Sequence, residues 1–159
     1  MKCSLQNSHL KPGGWVEFQD PYGMPLCDDG TMSEDDVMKK FYELCIAVMS
    51  KYGMNLDLVT GVGDFLRRAG FTNITCIKKK LPIGTWPKDK TLRLVGLLAK
   101  EAAEQSLGSL GKALSNFGMS QAEQTVWAAK VKESLGDNKI HRYYFYYFWY
   151  AQKPEKKAN

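Results

Sequence analysis

The sequence contains two histidines, and one of them stands where it could act as a base. His141 opens the aromatic run HRYYFYYFWY near the end of the chain, whereas His9 lies in a short leader. Histidine gains and loses a proton near neutral pH, so it can take a proton from a hydroxyl or an amine. A histidine at the start of a strand can equally bond to the backbone as a structural residue. The sequence leaves both interpretations of His141 open.

Other kinds of catalytic centre find no support in the residue pattern. Cys3, Cys27, Cys45 and Cys76 form no CxxC pair and have no histidine at metal-ligand spacing, so no metal site is predicted. Cys45 and Cys76 fall in apolar patterns, which favours small buried thiols in a reducing compartment. The chain shows no apolar run typical of a signal peptide or a membrane helix. We therefore expect an intracellular protein, cytoplasmic or nuclear, with no membrane partner.

The charge pattern argues against nucleic-acid binding. The formal net charge is +5, and the lysines and arginines are spread along the chain apart from residues 78–80 and the tail KPEKK. Nucleic-acid binding proteins usually gather their charge into a stripe, so these clusters are predicted to be solvated surface. RNA binding through residues 78–80 and the aromatic run stays a weaker alternative, because it requires aromatic side chains on an open sheet face.

Periodicity and chain breakers predict alternating strands and helices. Ser33 is a candidate N-cap, Gly70 a left-handed helix end, and Ser120 with Glu123 a capping box. The glycines of the third helical segment predict a break near its middle. The predicted elements are a strand at 15–19, a loop at 20–32, helices at 33–52 and 57–69, a strand at 72–80, a loop at 81–89, helical segments at 90–117 and 121–135, and a strand at 140–153.

One segment imitates a cofactor-binding loop. Residues 56–64 read LDLVTGVGD, close to the glycine-rich turn that cradles a nucleotide cofactor. Val59 stands where that turn requires a glycine, and the lysines at 78–80 stand where an acidic residue should end the next strand. A helix through this segment explains the same residues, and we predict the helix.

Four segments together resemble a known family. LKPGGWVEFQD, FLRRAGFTNIT, KLPIGTWPKD and IHRYYFYYFWYAQKP, in this order, are similar to the carboxyl-terminal half of class I S-adenosylmethionine-dependent methyltransferases. The fungal secondary-metabolism branch, the LaeA-like enzymes, is the nearest match. The resemblance covers residues 10–154, between an unmatched leader at 1–9 and a basic tail at 155–159.

The resemblance implies an α/β fold, Rossmann-like but partial. Its three-stranded sheet would correspond to strands 5, 7 and 6 of the family, with a helical insertion between the last two strands in sequence. The family binds its cofactor mainly through strands 1 to 4, which this resemblance does not include. No cofactor-binding residue is located, and we expect the chain alone to be a truncated, inactive form of the enzyme.

The resemblance also suggests where a small-molecule substrate would bind. The carboxyl end of the first strand would face the substrate pocket, which makes Glu17, Gln19, Asp20 and Tyr22 candidate pocket residues. The alternative is that Glu17 and Gln19 share one face of a strand and that Asp20 caps a turn. Further candidates are Trp86, Tyr144 and, as general base, His141. For Trp86, packing of its loop against the helical insertion is an open alternative.

A non-catalytic function is the second hypothesis. Without a neighbouring fourth strand, the strand at 15–19 would expose a hydrophobic edge that carries Trp15, Val16 and Phe18. Exposed edges pair readily with other chains. This hypothesis predicts an interaction module that binds a partner or a second copy through that edge.

Overall fold

A computed structural model describes residues 10–155, so His9, Cys3 and most of the basic tail lie outside the described residues. The fold is α/β, as the sequence predicts. Its elements are β1 (Trp15–Leu26), α1 (Val37–Ser50), a 3-10 turn (Leu58–Gly61), α2 (Val62–Arg68), β2 (Thr72–Pro82), α3 (Lys90–Ser109), α4 (Gly111–Asn116), α5 (Gln121–Gly136) and β3 (Tyr143–Gln152).

The described strands form a sheet in the order β1-β3-β2. Lys153, just after β3, donates its N–H to the carbonyl of Gly14, just before β1, over 2.8 Å. Ile83, just after β2, donates to the carbonyl of Arg142, just before β3, over 3.0 Å. The central strand β3 is therefore antiparallel to both neighbours. Consequently β1 and β2 run in the same direction, and the helices α3 to α5 lie between β2 and β3 in sequence.

The strand β1 is longer than predicted. Residues 20–26 were expected in a loop because DPYGMPL is rich in proline and glycine, but they continue the strand to Leu26. An edge strand tolerates proline because the missing N–H can face away from its neighbour. Gly23 is needed for packing, since an added Cβ would lie 2.5 Å from the Tyr42 ring. The prediction failed because tertiary contacts override the local turn signals.

The helix α1 begins later than predicted. Asp36, rather than Ser33, is its N-cap, and the Asp36 carboxylate accepts hydrogen bonds from the N–H groups of Met38 and Lys39. Asp36 is 5% exposed, and a buried carboxylate needs several donors. The helix therefore starts where those donors reach it.

The other helical predictions are largely confirmed. The segment 56–64 is helical rather than a glycine-rich loop, Gly70 has a φ of +83°, and Ser120 and Glu123 form the capping box. The predicted break in the third helical segment lies at Leu110, near its end rather than its middle. Gly96 stays inside α3 because the backbone of Gly84 packs directly on it, with Gly84 donating to the Gly96 carbonyl over 2.9 Å.

The chain divides into two compact units. The sheet unit comprises residues 10–22, Asp57–Lys79 and 145–155, and the helical unit comprises Gly23–Leu56 and Lys80–Tyr144. An apolar cluster fills the sheet unit, with Leu66 and Ala151 fully buried and Trp149 packed against it. The Trp149 indole N–H donates to the carbonyl of Val59 over 2.8 Å, which fixes the ring.

The helical unit has a separate apolar cluster and a buried ion pair. Its cluster of buried side chains comes from α1, α5 and the end of β2: Met38, Phe41, Cys45, Ile83, Val131 and Leu135. Nearby, the Arg142 guanidinium donates to the carboxylate of Asp36, and both side chains are almost completely buried. The pair joins the start of α1 to the segment that leads into β3.

Candidate functional site

A cavity of about 410 Å³ lies entirely within the helical unit. Its ionisable lining comes from three strand ends. Asp28 and Asp29 follow β1, Lys80 belongs to the end of β2, and His141 and Tyr143 stand at the start of β3. Because β3 is antiparallel, its start lies beside the carboxyl ends of β1 and β2. In open α/β sheets, ligands bind outside the carboxyl ends of the parallel strands.

The loop between β2 and α3 supplies the apolar wall. Trp86 is half-buried, and its indole N–H donates to the carbonyl of Arg142 over 3.0 Å. Its ring stacks on the imidazole of His141 at 4.8 Å between centroids and an interplanar angle of 28°. Pro82, Pro87 and Leu92 complete this wall. The stacking and the hydrogen bond hold the indole in one orientation.

His141 is oriented by a carboxylate. Its ring nitrogen Nδ1 lies 2.5 Å from Oδ2 of Asp29, and its backbone N–H donates to the hydroxyl of Thr31 over 2.9 Å. Hydrogen bonds from the Cys27 thiol, then from His141 and Thr31, hold the pKa of Asp29 well below its usual range. Asp29 is therefore ionised and accepts the Nδ1 proton. That tautomer leaves Nε2 of His141 with a lone pair, as in histidines that act as bases.

The second carboxylate, that of Asp28, already accepts a hydrogen bond on each oxygen. Oδ1 of Asp28 accepts the Tyr143 hydroxyl over 2.8 Å, and Oδ2 accepts the ammonium of Lys80. The hydrogen bond from Lys80 lowers the pKa of Asp28, and the same bond raises the pKa of Lys80. Burial, followed by the Asp28 carboxylate, raises the pKa of Tyr143. The three side chains therefore form one neutralised group on the cavity wall.

The buried ion pair between Arg142 and Asp36 holds the backbone next to His141. Arg142, the next residue, donates to the carbonyl and hydroxyl of Ser134 on α5 over 2.8 and 2.7 Å as well as to Asp36. Arg142 is 2% exposed. Because its guanidinium is bonded on every side, the backbone at residues 141–142 is held between α1 and α5.

The structure brings together two of the residues proposed from the sequence. His141 and Trp86 line the cavity and touch each other. The structure does not bring Glu17, Gln19, Asp20, Tyr22 or Tyr144 to that lining. Their part in a substrate pocket stays a prediction.

The positions of those five residues follow from their strands. Glu17, Gln19 and Asp20 are exposed on β1, and the Gln19 amide donates to the Glu17 carboxylate over 2.6 Å. Tyr22 is also on β1, and partial burial, then the charge of Asp57, raises its pKa. Tyr144 packs against the cluster of the helical unit, where burial raises its pKa to about 12.

Sequence reasoning missed Asp28, Asp29 and Lys80. The strand before Asp28 and Asp29 was predicted to end at residue 19, which placed its carboxyl end seven residues too early. The motif CDDGT does offer a signal, since two acidic residues before a glycine are typical of a tight turn after a strand. The partners of those carboxylates come from residues more than fifty positions away, and no local pattern reveals them.

The segment LDLVTGVGD does not form a glycine-rich cofactor turn, because Leu58–Gly61 is a 3-10 turn and α2 begins at Val62. Gly63 packs against the Trp149 ring, which lies 2.6 Å from where an added Cβ would be. Among residues 10–155, no cluster of His, Cys, Asp and Glu could hold a metal ion. No helix in the described part of the chain is long and apolar enough to span a membrane.

Comparison with curated proteins identifies relatives along nearly the whole chain. Methyltransferase pytC of Aspergillus terreus is 32% identical over 151 residues, which is 92% of this chain and 46% of the relative. The probable methyltransferase tdiE of Emericella nidulans is 30% identical, covering 92% of this chain and 47% of the relative. The secondary metabolism regulator LAE1 of Cochliobolus heterostrophus is 25% identical, covering 94% and 50%. No family model matches the chain, and the chain spans about half the length of these relatives.

Proposed function

Because this chain is homologous to fungal methyltransferases and to LaeA-like regulators of secondary metabolism, we propose that it serves as the acceptor-binding part of an S-adenosylmethionine-dependent methyltransferase. The observation that carries the proposal is the cavity at the carboxyl ends of β1 and β2, with His141 held by Asp29 on its wall. In this proposal a small molecule of fungal secondary metabolism occupies the cavity.

The strand equivalence is part of the proposal. The order β1-β3-β2, with the central strand antiparallel, is the arrangement that strands 5, 7 and 6 have in class I methyltransferases. If β1, β3 and β2 are those strands, the described cavity lies on the edge of the sheet where ligands of this fold class bind. The unpaired thiols of Cys27, Cys45 and Cys76 agree with an intracellular location.

In this proposal His141 removes a proton from the methyl acceptor. The cofactor supplies the methyl group, and the chain's own residues bind the acceptor, orient it against Trp86 and remove its proton. Asp29 keeps Nε2 of His141 able to accept that proton. Positioning accounts for much of the rate in such reactions, and the ion pair behind His141 supports it.

A fusion protein tests the proposed division of roles. The chain is joined to the part of methyltransferase pytC that the comparison leaves unmatched, and binding of S-adenosylhomocysteine and transfer of a labelled methyl group to small aromatic compounds are measured. We expect His141→Gln to lower transfer about 100-fold or more while cofactor binding is kept. Glu101→Gln, at an exposed position of α3, is the control and should leave transfer unchanged. Equal transfer by both variants would reject His141 as the base.

Calorimetry on the chain alone is the first step. The 159-residue chain is titrated with S-adenosylhomocysteine, and its mass in solution is measured on the same sample. The proposal expects no binding at micromolar concentrations from a folded sample. Micromolar binding would mean that the chain has a cofactor site of its own, and the proposed division of roles would be wrong.

A second candidate function rests on the edge position of β1. In the described sheet β1 has β3 on one side only, and Trp15 on it is 52% exposed. An apolar edge of this kind can add a strand from a second copy of the chain. Trp15→Lys should abolish concentration-dependent association, measured by analytical ultracentrifugation. Met54→Lys, which changes an equally exposed side chain of the helical unit, should have no effect.

A further inference from the structure

We propose that the cavity binds a planar aromatic compound with an acidic hydroxyl group, a phenol or an aromatic enol, and that His141 accepts the proton of that hydroxyl. The inference rests on the proposed function where it identifies this hydroxyl as the methyl acceptor. Binding and proton transfer can be measured without a cofactor.

The walls of the cavity select for a flat apolar body. Trp86, Pro82, Pro87 and Leu92 present rings and an aliphatic side chain, and Tyr143 adds another ring. The proline rings are rigid, and the indole of Trp86 is fixed by its bond to Arg142. Aromatic ligands pack well against such preformed surfaces, and the volume of about 410 Å³ falls in the ordinary range for small-molecule sites.

The carboxylates of the lining leave little capacity for an amine. Asp28 is bonded to Lys80 and Tyr143, and Asp29 is bonded to His141 and Thr31. The third carboxylate, Asp89, caps α3 by accepting the N–H of Leu92 over 2.8 Å. Asp28 and Asp29 already hold donors on both oxygens and Asp89 holds one on Oδ1, so an ammonium ligand would gain less here than from unbonded carboxylates. We therefore expect amines to bind less well than neutral phenols.

The charge balance also disfavours a carboxylic acid. The cavity is lined by three carboxylates, Asp28, Asp29 and Asp89, against two ammonium groups, Lys80 and Lys88. A carboxylate ligand would add to the formal excess of negative charge in the cavity. A phenol enters as a neutral molecule, and its proton stays in the cavity on His141, so it adds no net charge.

Proton transfer then places charge where the cavity can stabilise it. The O–H bond of the phenol breaks, a new N–H bond forms at Nε2 of His141, and the electron pair stays on the phenolate oxygen. The product is an imidazolium beside the Asp29 carboxylate and a phenolate beside the imidazolium. Lys88 lines the cavity and forms no ion pair with any residue in 10–155, so its ammonium is available to the phenolate.

A coloured phenol tests both parts of the inference. The probe is para-nitrophenol, whose phenolate absorbs visible light, titrated with the chain at a pH below the pKa of the free phenol. We expect binding about tenfold tighter than that of nitrobenzene, para-nitrobenzylamine, which carries an ammonium at this pH, or para-nitrobenzoate. We also expect the pKa of the bound phenol to fall by about one unit, seen as increased absorbance.

Two variants separate binding from proton transfer. His141→Gln should keep binding within about threefold and lose the absorbance change, whereas Trp86→Leu should weaken binding of all four probes. Binding of para-nitrobenzylamine or para-nitrobenzoate as tight as that of para-nitrophenol would overturn the ligand class. An undiminished absorbance change in His141→Gln would overturn the proton transfer. If phenols bind as expected but the fusion protein transfers no methyl group, the proposed function fails and this inference stands.

Discussion

The helical unit contains a buried ion pair, whereas the ion pair of the sheet unit is exposed. In the sheet unit, Arg67 pairs with Asp64 one helical turn away, and both side chains are mostly exposed. In the helical unit, Arg142 pairs with Asp36 from a distant part of the chain, and the two side chains are 3% and 2% exposed. The cavity and its titratable groups also belong to the helical unit. Buried charge therefore accompanies the candidate site, while apolar packing stabilises the sheet unit.

The largest expected effect comes from breaking the buried ion pair. Arg142→Met leaves the Asp36 carboxylate buried without its charged partner, so the free energy of unfolding should fall by about 3–5 kcal/mol. Arg67→Met, the exposed counterpart, should change it by less than about 1 kcal/mol. Urea unfolding followed by circular dichroism measures both values.

A double variant checks the physical reason. Asp36→Asn added to Arg142→Met removes the buried charge but keeps an oxygen that can cap α1. The double variant should be more stable than Arg142→Met alone. Similar losses for Arg142→Met and Arg67→Met would show that the two units do not differ in the way described.

Apolar packing in the sheet unit should give the next largest effect. Leu66 is completely buried in its cluster, and Leu66→Ala should lower the free energy of unfolding by about 3 kcal/mol because it leaves a cavity. Leu94, at 57% exposed on α3, provides the control, and Leu94→Ala should stay within about 0.5 kcal/mol. A small effect at Leu66, measured in the same urea experiment, would mean that the sheet unit is loosely packed.

Two glycines of α3, Gly96 and Gly108, differ in the space around them. Gly96→Ala would push a methyl group into the backbone of Gly84, and we expect a loss of about 1–3 kcal/mol. Gly108→Ala faces open space and should stabilise the helix by up to about 1 kcal/mol. Thermal unfolding should therefore shift in opposite directions for the two variants.

The smallest expected effect is on the free energy of unfolding at low pH. The pKa of Asp29 is lower in the folded chain than in the unfolded chain, chiefly because the Cys27 thiol and His141 donate to its carboxylate. The ionised Asp29 carboxylate therefore stabilises the folded chain. This stabilisation is fully present above about pH 4 and is lost as the pH falls below that value. Asp29→Asn should therefore show a shallower loss of stability between neutral pH and pH ~3. Identical acid unfolding curves would contradict the assignment.

The parts of the fold that were predicted correctly are those with local causes. The capping box at Ser120, the glycine end at Gly70 and the helix through LDLVTGVGD depend on residues within one or two helical turns. The start of α1 and the length of β1 were not predicted, because Asp36 depends on Arg142 and Gly23 depends on Tyr42.

The residues of the candidate site also fall into two groups, those that could be proposed from the sequence and those that could not. His141 and Trp86 could be proposed because their residue types and positions beside a strand and in a rigid loop are visible in the chain. Asp28 and Asp29 could not, since their importance comes from Lys80, Tyr143 and His141, which the chain reaches only after many intervening residues.

We could therefore infer three properties from the residues alone: the α/β class, the kinds of element and the resemblance to methyltransferases of fungal secondary metabolism. These properties depend on periodicity, capping residues and short segments. The end of β1, the carboxylate that caps α1 and the side chains that meet around the cavity became known only from the folded chain. Those features depend on burial and on pairs of charged groups far apart in the chain. Their free energy arises only when the distant segments come together.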